Sequence, residues 1–404
     1  MRKAGMLALS LMFSGCLGEG LIRLSGRHFE SSLHTPDRDL GWDFRAGARG
    51  WSTLEGRAYI EVNSDGCNDR EHAAEKSKDT LRIAVLGDSF TGNYNLPREQ
   101  SWWSVMERKL NECPALAPRK AEVLAFGTGG FGTAQELILM RKKVWKYSPD
   151  VVLLQFFGGN DPLDNIRELT PPKANDSPYY LLKGDELVLD DSFRKKLPGP
   201  ALLWARNTFA DAMNHVELAL FIKLLAGARQ RAKTHILDSR PKDLGWPDNL
   251  VFQEPKDPKM VEAWRVTEAL IHQMAKEVRE HGAEFRMMAV SSPEPVHPDL
   301  SEREEFIKAL KLDTLFYVEE RLAKLADKEG FPFFSTAQPL ADYALKNHAF
   351  VHGFPNGVPW GGHWNELGHR LAGEWLAADY CKRLEGAKSG TAPAPAPTPA
   401  GTAP

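Results

Sequence analysis

Five short apolar runs recur along the chain, at 81–86, 122–126, 151–157, 284–290 and 331–334, with apolar residues at helical spacing between them. Runs of this length, bounded by Gly and polar turns, predict strands buried on both faces, as in parallel sheets covered by helices. The clearest helix is 257–281. Met260, Trp264, Thr267, Ile271, Met274 and Val278 repeat at helical spacing, Pro258 stands at the first helical position, and Gly282 lies just past the end. Further helices are expected at about 99–113, at about 201–233, and in the last part of the chain, where Leu367, Leu371 and Trp375 share a face. Strands alternating with helices predict an α/β fold, a doubly wound three-layer α/β/α sandwich around a five-stranded parallel sheet.

The segments outside this alternation divide the chain. Residues 1–22 begin with Arg2 and Lys3, continue with an apolar run over 4–13, and reach Ser14, Gly15 and Cys16, the layout of an export signal with small residues at a cleavage point. Cys after Ser-Gly resembles the bacterial lipobox, although Phe13 stands where Leu is usual; lipidation at Cys16, an uncleaved anchor reaching Ile22, and plain secretion all remain open. The expectation is an exported protein tethered to a membrane. Residues 23–80 form an irregular entry segment with a small hairpin near 57–66, its charges expected on solvated surface. The main domain spans 81–385. Within it, 160–256 is too long for a plain connection and is expected to be an inserted cap beside the site. The Ala-, Pro- and Thr-rich stretch 386–404 is low in complexity, and disorder is expected there.

Composition changes this picture little. Of 404 residues, 42% are hydrophobic and 26% charged, as in ordinary globular proteins, and a net charge of −3 without a long basic run gives no footprint for nucleic acid. If Cys16 carries lipid, Cys67, Cys113 and Cys381 remain, enough for one disulfide whose pairing spacing does not decide. None of them has metal-ligand spacing, and no metal or organic cofactor is expected.

The candidate chemistry lies where strands end. The run 81–86 ends in Gly87, Asp88 and Ser89, which delivers a hydroxyl to the carboxyl edge of the sheet, where open α/β folds build their sites. A Ser hydroxyl needs a base to act as a nucleophile, and His363, in a Gly-rich loop before the last helix, is the best candidate. His369 falls between the apolar stripe positions and is expected on the surface. Acyl transfer also needs donors for an oxyanion, and two loops supply them, 127–132 after the second strand and 158–161 after the third. The first of these loops also spells G-x-G-x-x-G, but it follows the wrong strand for dinucleotide binding, and the next strand ends without an acid for a ribose. Trp360, Trp364 and Phe354 near His363 are either a platform for a sugar or acyl group or simple packing.

In this order, Gly-Asp-Ser at 87–89, the Gly block at 127–132, Gly-Gly-Asn-Asp at 158–161 and the His block ending at His363 resemble the SGNH hydrolases, the GDSL-type esterases and lipases. The resemblance covers roughly 81–165 and 284–380. It implies a flavodoxin-like sheet, Ser89 as nucleophile, His363 as general base, Asp88 as a structural residue holding the turn, and an oxyanion hole from Ser89, Gly130 and Asn160. It further implies hydrolysis of an ester substrate. The family usually carries an Asp three residues before the His, where this chain has Trp360. Either the pair works as a dyad with a backbone carbonyl orienting the imidazole, or an acid such as Asp342 or Glu366 approaches through the fold. The same residues would serve an O-acyltransferase, and loss of the acid would fit a binding protein that had lost catalysis.

Overall fold

A computed structural model describes residues 2–169, 176–231, 247–358 and 360–389. The chain enters through helix Arg2–Leu24 and two antiparallel hairpins, β1 (His34–Asp37) with β2 (Gly41–Phe44) and β3 (Arg49–Ser52) with β4 (Ala58–Glu61). The strands β5 (Thr80–Gly87), β6 (Lys120–Gly127), β7 (Val151–Phe157), β10 (Glu284–Val290) and β11 (Phe333–Ser335) form one parallel sheet in the order β11-β10-β7-β5-β6, while β8 (Tyr179–Lys183) and β9 (Glu186–Asp190) pair as a third hairpin. Register aligns the carboxyl ends that matter, Gly87 of β5 beside Gly127 of β6 and Val290 of β10 beside Phe157 of β7.

Alternation along the strands splits the core in two. Ala84, Leu86, Leu124, Phe126, Val152 and Leu154 face helices Thr133–Leu139, Pro258–Glu280 and Tyr317–Glu329, while Ile83, Val85, Val123, Ala125 and Leu153 face helices Trp102–Leu110, Ala337–Asn347 and Glu366–Ser389. Both faces are therefore dry, which is why these strands read as unbroken apolar runs. Helix Pro258–Glu280 starts where expected, with the Asp257 carboxylate accepting the N–H groups of Lys259 at 2.9 Å and Met260 at 3.3 Å.

Several expected boundaries move for local reasons. The helix expected at 99–113 begins only at Trp102, because Ser101 is extended and caps it. The strand expected from 331 begins at Phe333. Phe331 N–H turns back to the carbonyl of Ala326 to close the preceding helix, and Pro332 has no N–H for the ladder. The single helix expected over 201–233 is two, Pro200–Asn214 and Glu217–Arg231, since the Glu19 carboxylate caps a fresh N-terminus on the N–H groups of Glu217 and Leu218. The last helix continues through Gly386 to Ser389, past the boundary set for the disordered tail; 390–404 lie outside the described residues. His369 is buried, not on the surface, and its Nδ1 accepts the N–H of Trp102 at 3.1 Å. Burial first, and then His363 and His352 nearby, depress its pKa to about 3, so it stays neutral.

Cys113 and Cys381 form a disulfide, with Cα atoms 5.9 Å apart, between the turn after helix Trp102–Leu110 and the last helix; Cys67 is free and buried, Cys16 free and exposed. In 160–256, the described hairpin β8–β9 packs on helix Pro258–Glu280, and the two helices after it pack on the entry segment. Among the described residues no helix is long and apolar enough to cross a membrane.

The disulfide closes a loop of 268 residues. A Cys113→Ala, Cys381→Ala variant is expected to lose about 2–5 kcal/mol of stability in chemical unfolding, and an unfolding midpoint equal to wild type under oxidising conditions would contradict this.

Candidate active site

Every residue from Leu81 to Asn93 is buried except Ser89. Strand β5 stops at Gly87, and the Asp88 side chain accepts the Phe90 N–H at 2.9 Å, starting the single helical turn Ser89–Gly92. The Ser89 hydroxyl thus stands at the carboxyl end of β5, between β6 and β7. Asp88 itself is fully buried, and burial raises its carboxyl pKa even though the Phe90 N–H, His363, Gln155 and Asn160 oppose the shift.

His363 reaches this hydroxyl. Its Nε2 lies 2.7 Å from Ser89 Oγ, and its ring tilts against Phe90 at a centroid distance of 4.9 Å. On the other side, Nδ1 lies 2.5 Å from Oε2 of Glu55, whose Oε1 accepts the His363 backbone N–H at 2.8 Å. One carboxylate therefore fixes both the ring and the peptide that carries it. A carboxylate accepts only, so Nδ1 carries the proton and Nε2 is left to accept from the serine. Burial raises the Glu55 pKa, but the hydrogen bonds and charge of His363, with His352 further off, outweigh it and leave the carboxyl below its ordinary value.

Glu55 sits at the tip of the β3–β4 hairpin, in the entry segment whose charges were expected on solvated surface. That expectation is corrected here. The tip is pinned from two sides. Asn95 donates to the Glu55 carbonyl at 2.9 Å, and Asn356 accepts the Gly56 N–H at 2.8 Å while donating to the carbonyls of Thr53 and Gly56. Two glycines make the approach possible. A Cβ on Gly56, which has φ +68°, would lie 2.3 Å from the Asn95 carbonyl oxygen, and one on Gly362, with φ +73°, would lie 2.2 Å from Glu55 Oε1. The His363 loop is held in turn by His352, which bridges the Gly362 carbonyl at 2.8 Å and Ser291 Oγ at 3.1 Å.

The acids expected for this place are elsewhere. Asp342 accepts from Gln338 within its own helix, Glu366 is exposed at the start of the last helix, and both ring nitrogens of His363 are already engaged. The only sequence signal for Glu55 was an acid beside Gly between two extended runs.

The expected oxyanion loops flank Ser89, since β6 and β7 are the two neighbours of β5. Gly130 is exposed in the turn after β6, and Asn160 follows β7. Asn160 Nδ2 donates to Asp88 Oδ2 at 3.1 Å and, more weakly, to the Phe131 carbonyl at 3.4 Å. Below them lies a second layer of acid. Asp161 accepts from the Phe157 N–H at 2.7 Å and from Thr133 Oγ1 at 3.0 Å, while Glu136 is fully buried with no partner for either carboxyl oxygen among the described residues. Burial, and then the mutual repulsion of Asp161, Asp88 and Glu136, drive the pKa of Glu136 well above its ordinary value.

Of the aromatic residues near His363, Trp364 and Phe354 are buried and only Trp360, 41% exposed, is available to a ligand. Among the described residues no group of three or more His, Cys, Asp or Glu could hold a metal ion.

No protein-family model and no curated protein matches the sequence. Solved structures similar to it include an acetyl xylan esterase, at 14% identity and TM-score 0.34 over 74% of this chain and 99% of that one. Others are a lipase/acylhydrolase from Enterococcus faecalis (12%, TM-score 0.35, 75% and 96%) and a lipase from a goat rumen metagenome (14%, TM-score 0.37, 75% and 99%). At these TM-scores the likenesses carry no weight for function, which rests on the site itself.

Because burial and the neighbouring carboxyls raise the Glu136 pKa in the folded state, its contribution to stability is complete below its unfolded pKa, near 4.5, and is lost as pH rises through its raised folded value. Unfolding free energy measured from pH 4 to pH 9 is expected to fall more steeply for wild type than for Glu136→Gln. Parallel curves would contradict a raised Glu136 pKa.

Proposed function

We propose that this chain is a serine ester hydrolase working through an acyl-enzyme. The observation that carries the reading is the unbroken line of hydrogen bonds from Ser89 Oγ through both nitrogens of His363 to Glu55. Ser89 attacks the ester carbonyl while His363 Nε2 takes its proton, and the imidazolium so formed is stabilised by the ionised Glu55. The oxyanion is met by the N–H groups of Ser89 and Gly130 and by Asn160 Nδ2, whose weak contact to the Phe131 carbonyl is the one given up. His363 then protonates the leaving alcohol, and water, activated by the same imidazole, releases the acid.

The substrate is a short O-acyl ester on a cell-envelope glycan. Trp360, three residues from His363, supports this by offering an exposed ring for a sugar face. In this reading the protein is exported and tethered by lipid on Cys16, an exposed cysteine in the N-terminal helix. Glu55 supplies the acid whose loss would have favoured a lapsed enzyme. Transfer of the acyl group to a sugar hydroxyl would use the same atoms, and acyl-product analysis with and without a glycan acceptor separates the two.

The test is hydrolysis of p-nitrophenyl esters from acetate to palmitate. Ser89→Ala and His363→Ala are each expected to lower kcat by about 10³–10⁶, and Asn160→Ala by about 10²–10³. Acetate is the preferred chain length, and Trp360→Ala raises KM for an acetylated oligosaccharide while leaving p-nitrophenyl acetate unchanged. Turnover that survives Ser89→Ala would overturn the proposal, and a preference for palmitate would replace the glycan with a lipid.

A further inference from the structure

The N-terminal helix Arg2–Leu24 does not stand free. Glu19 accepts the N–H groups of Glu217 at 3.2 Å and Leu218 at 2.8 Å, and Arg23 donates to the His215 carbonyl at 2.6 Å. Gly18 faces Leu218, where a Cβ would lie at ordinary contact distance, 3.5 Å from Leu218 Cδ2. The pair, Pro200–Asn214 and Glu217–Arg231, is in turn fastened to the entry segment. Arg45 pairs with Asp211 at 2.6 Å, Thr35 donates to Asn207 at 3.1 Å, and Asn214 bonds both the N–H and the carbonyl of Ser32.

What these helices turn outward is apolar. Leu202, Trp204 (71% exposed) and Phe209 (66% exposed) lie on the first of the pair and Ile222 and Leu225 on the second, with Leu17, Leu21 and Leu24 exposed on the N-terminal helix. Leu202 and Phe209, two turns apart, share one face of their helix, Trp204 lies round the helix from them, and Ile222 and Leu225 at three-residue spacing share a face of theirs. From Cys16 onward, the part a lipidated protein keeps, the three helices carry eight of the seventeen large apolar side chains left exposed among the described residues. Soluble monomers rarely leave such a concentration uncovered.

We propose that the apolar side chains Leu202, Phe209, Ile222 and Leu225 seat the protein on the surface of a phospholipid bilayer. The inference rests on the reading of Cys16 as a lipid-bearing residue, because that residue says where the bilayer is. Cys16 is two positions from Gly18, about 3 Å along a helix axis, and Gly18 is where the N-terminal helix touches Leu218. A lipid entering the bilayer at Cys16 holds the helix pair at the headgroup level, where an apolar face of Phe, Leu and Ile buries itself. No described helix spans a membrane, so the contact is interfacial, a second signal beside the lipid. Since the same pair is bolted to the segment that presents Glu55, seating it also fixes the orientation of the active site relative to the bilayer.

The test uses the full chain with Cys16→Ser, which cannot be lipidated, in flotation with vesicles of phosphatidylethanolamine and phosphatidylglycerol. It is compared with the same chain carrying Leu202→Ser, Phe209→Ser and Ile222→Ser as well, the N-terminal helix being common to both. The added substitutions are expected to weaken partitioning at least about tenfold, with an unchanged melting temperature. Equal partitioning of the two chains overturns the inference. So does a chain that ignores vesicles but self-associates through this face, with the association lost in the triple variant, since the occupant would then be a second copy. Failure of the Cys16 reading shows separately, as an unmodified Cys16 in the intact mass of the wild-type protein taken from membranes, and leaves the vesicle comparison to decide.

Discussion

A single carboxylate holds the site together. Glu55 meets the imidazole of His363 with one oxygen and its peptide N–H with the other, so the position of the ring, its tautomer and the course of the Gly-rich loop are set by one group. Much of the surrounding structure can be understood as what that contact requires. Gly362 gives it room, the β3–β4 hairpin delivers it, Asn95 and Asn356 hold the hairpin tip, and the entry segment stays packed on the domain instead of trailing from it. A histidine on a loop has many rotamers, and a base that is correctly placed only part of the time loses that fraction of its effect.

The site handles acids in two opposite ways within a few residues of the same sheet edge. Glu55 is partly exposed and paired, and its partner keeps it ionised. Asp88, Asp161 and Glu136 are buried beneath the serine and Asn160, where burial and mutual repulsion favour protons. The first arrangement can stabilise a positive imidazolium as it forms. The second fixes the loops that carry the serine and Asn160 through hydrogen bonds to Phe90, Phe157, Thr133 and Asn160, at the cost of stability at high pH.

The five sheet strands are legible in the sequence because both faces of the sheet are covered, so burial writes a continuous apolar run on each. Ser89 and His363 are legible because each sits beside a Gly-rich turn at a strand or helix end, a local pattern. Glu55 is not, because it is 308 residues from His363 and the link is made only by packing a hairpin against the far end of the chain. Other departures have the same origin. The helix pair after Pro200 is divided by a cap from Glu19, and His369 is buried by the N–H of Trp102, partners that no local window contains. The Cys113–Cys381 pairing likewise follows from the packing of two helices far apart in the chain.

The most direct test of the central contact is the steady-state hydrolysis of p-nitrophenyl acetate by Glu55→Gln, with its melting temperature measured alongside. The expected result is a kcat lowered by about 10²–10⁴ at a nearly unchanged KM, in a protein as stable as wild type to within about 1 kcal/mol. A folded Glu55→Gln protein that turns over like wild type would contradict the claim that this carboxylate orients His363.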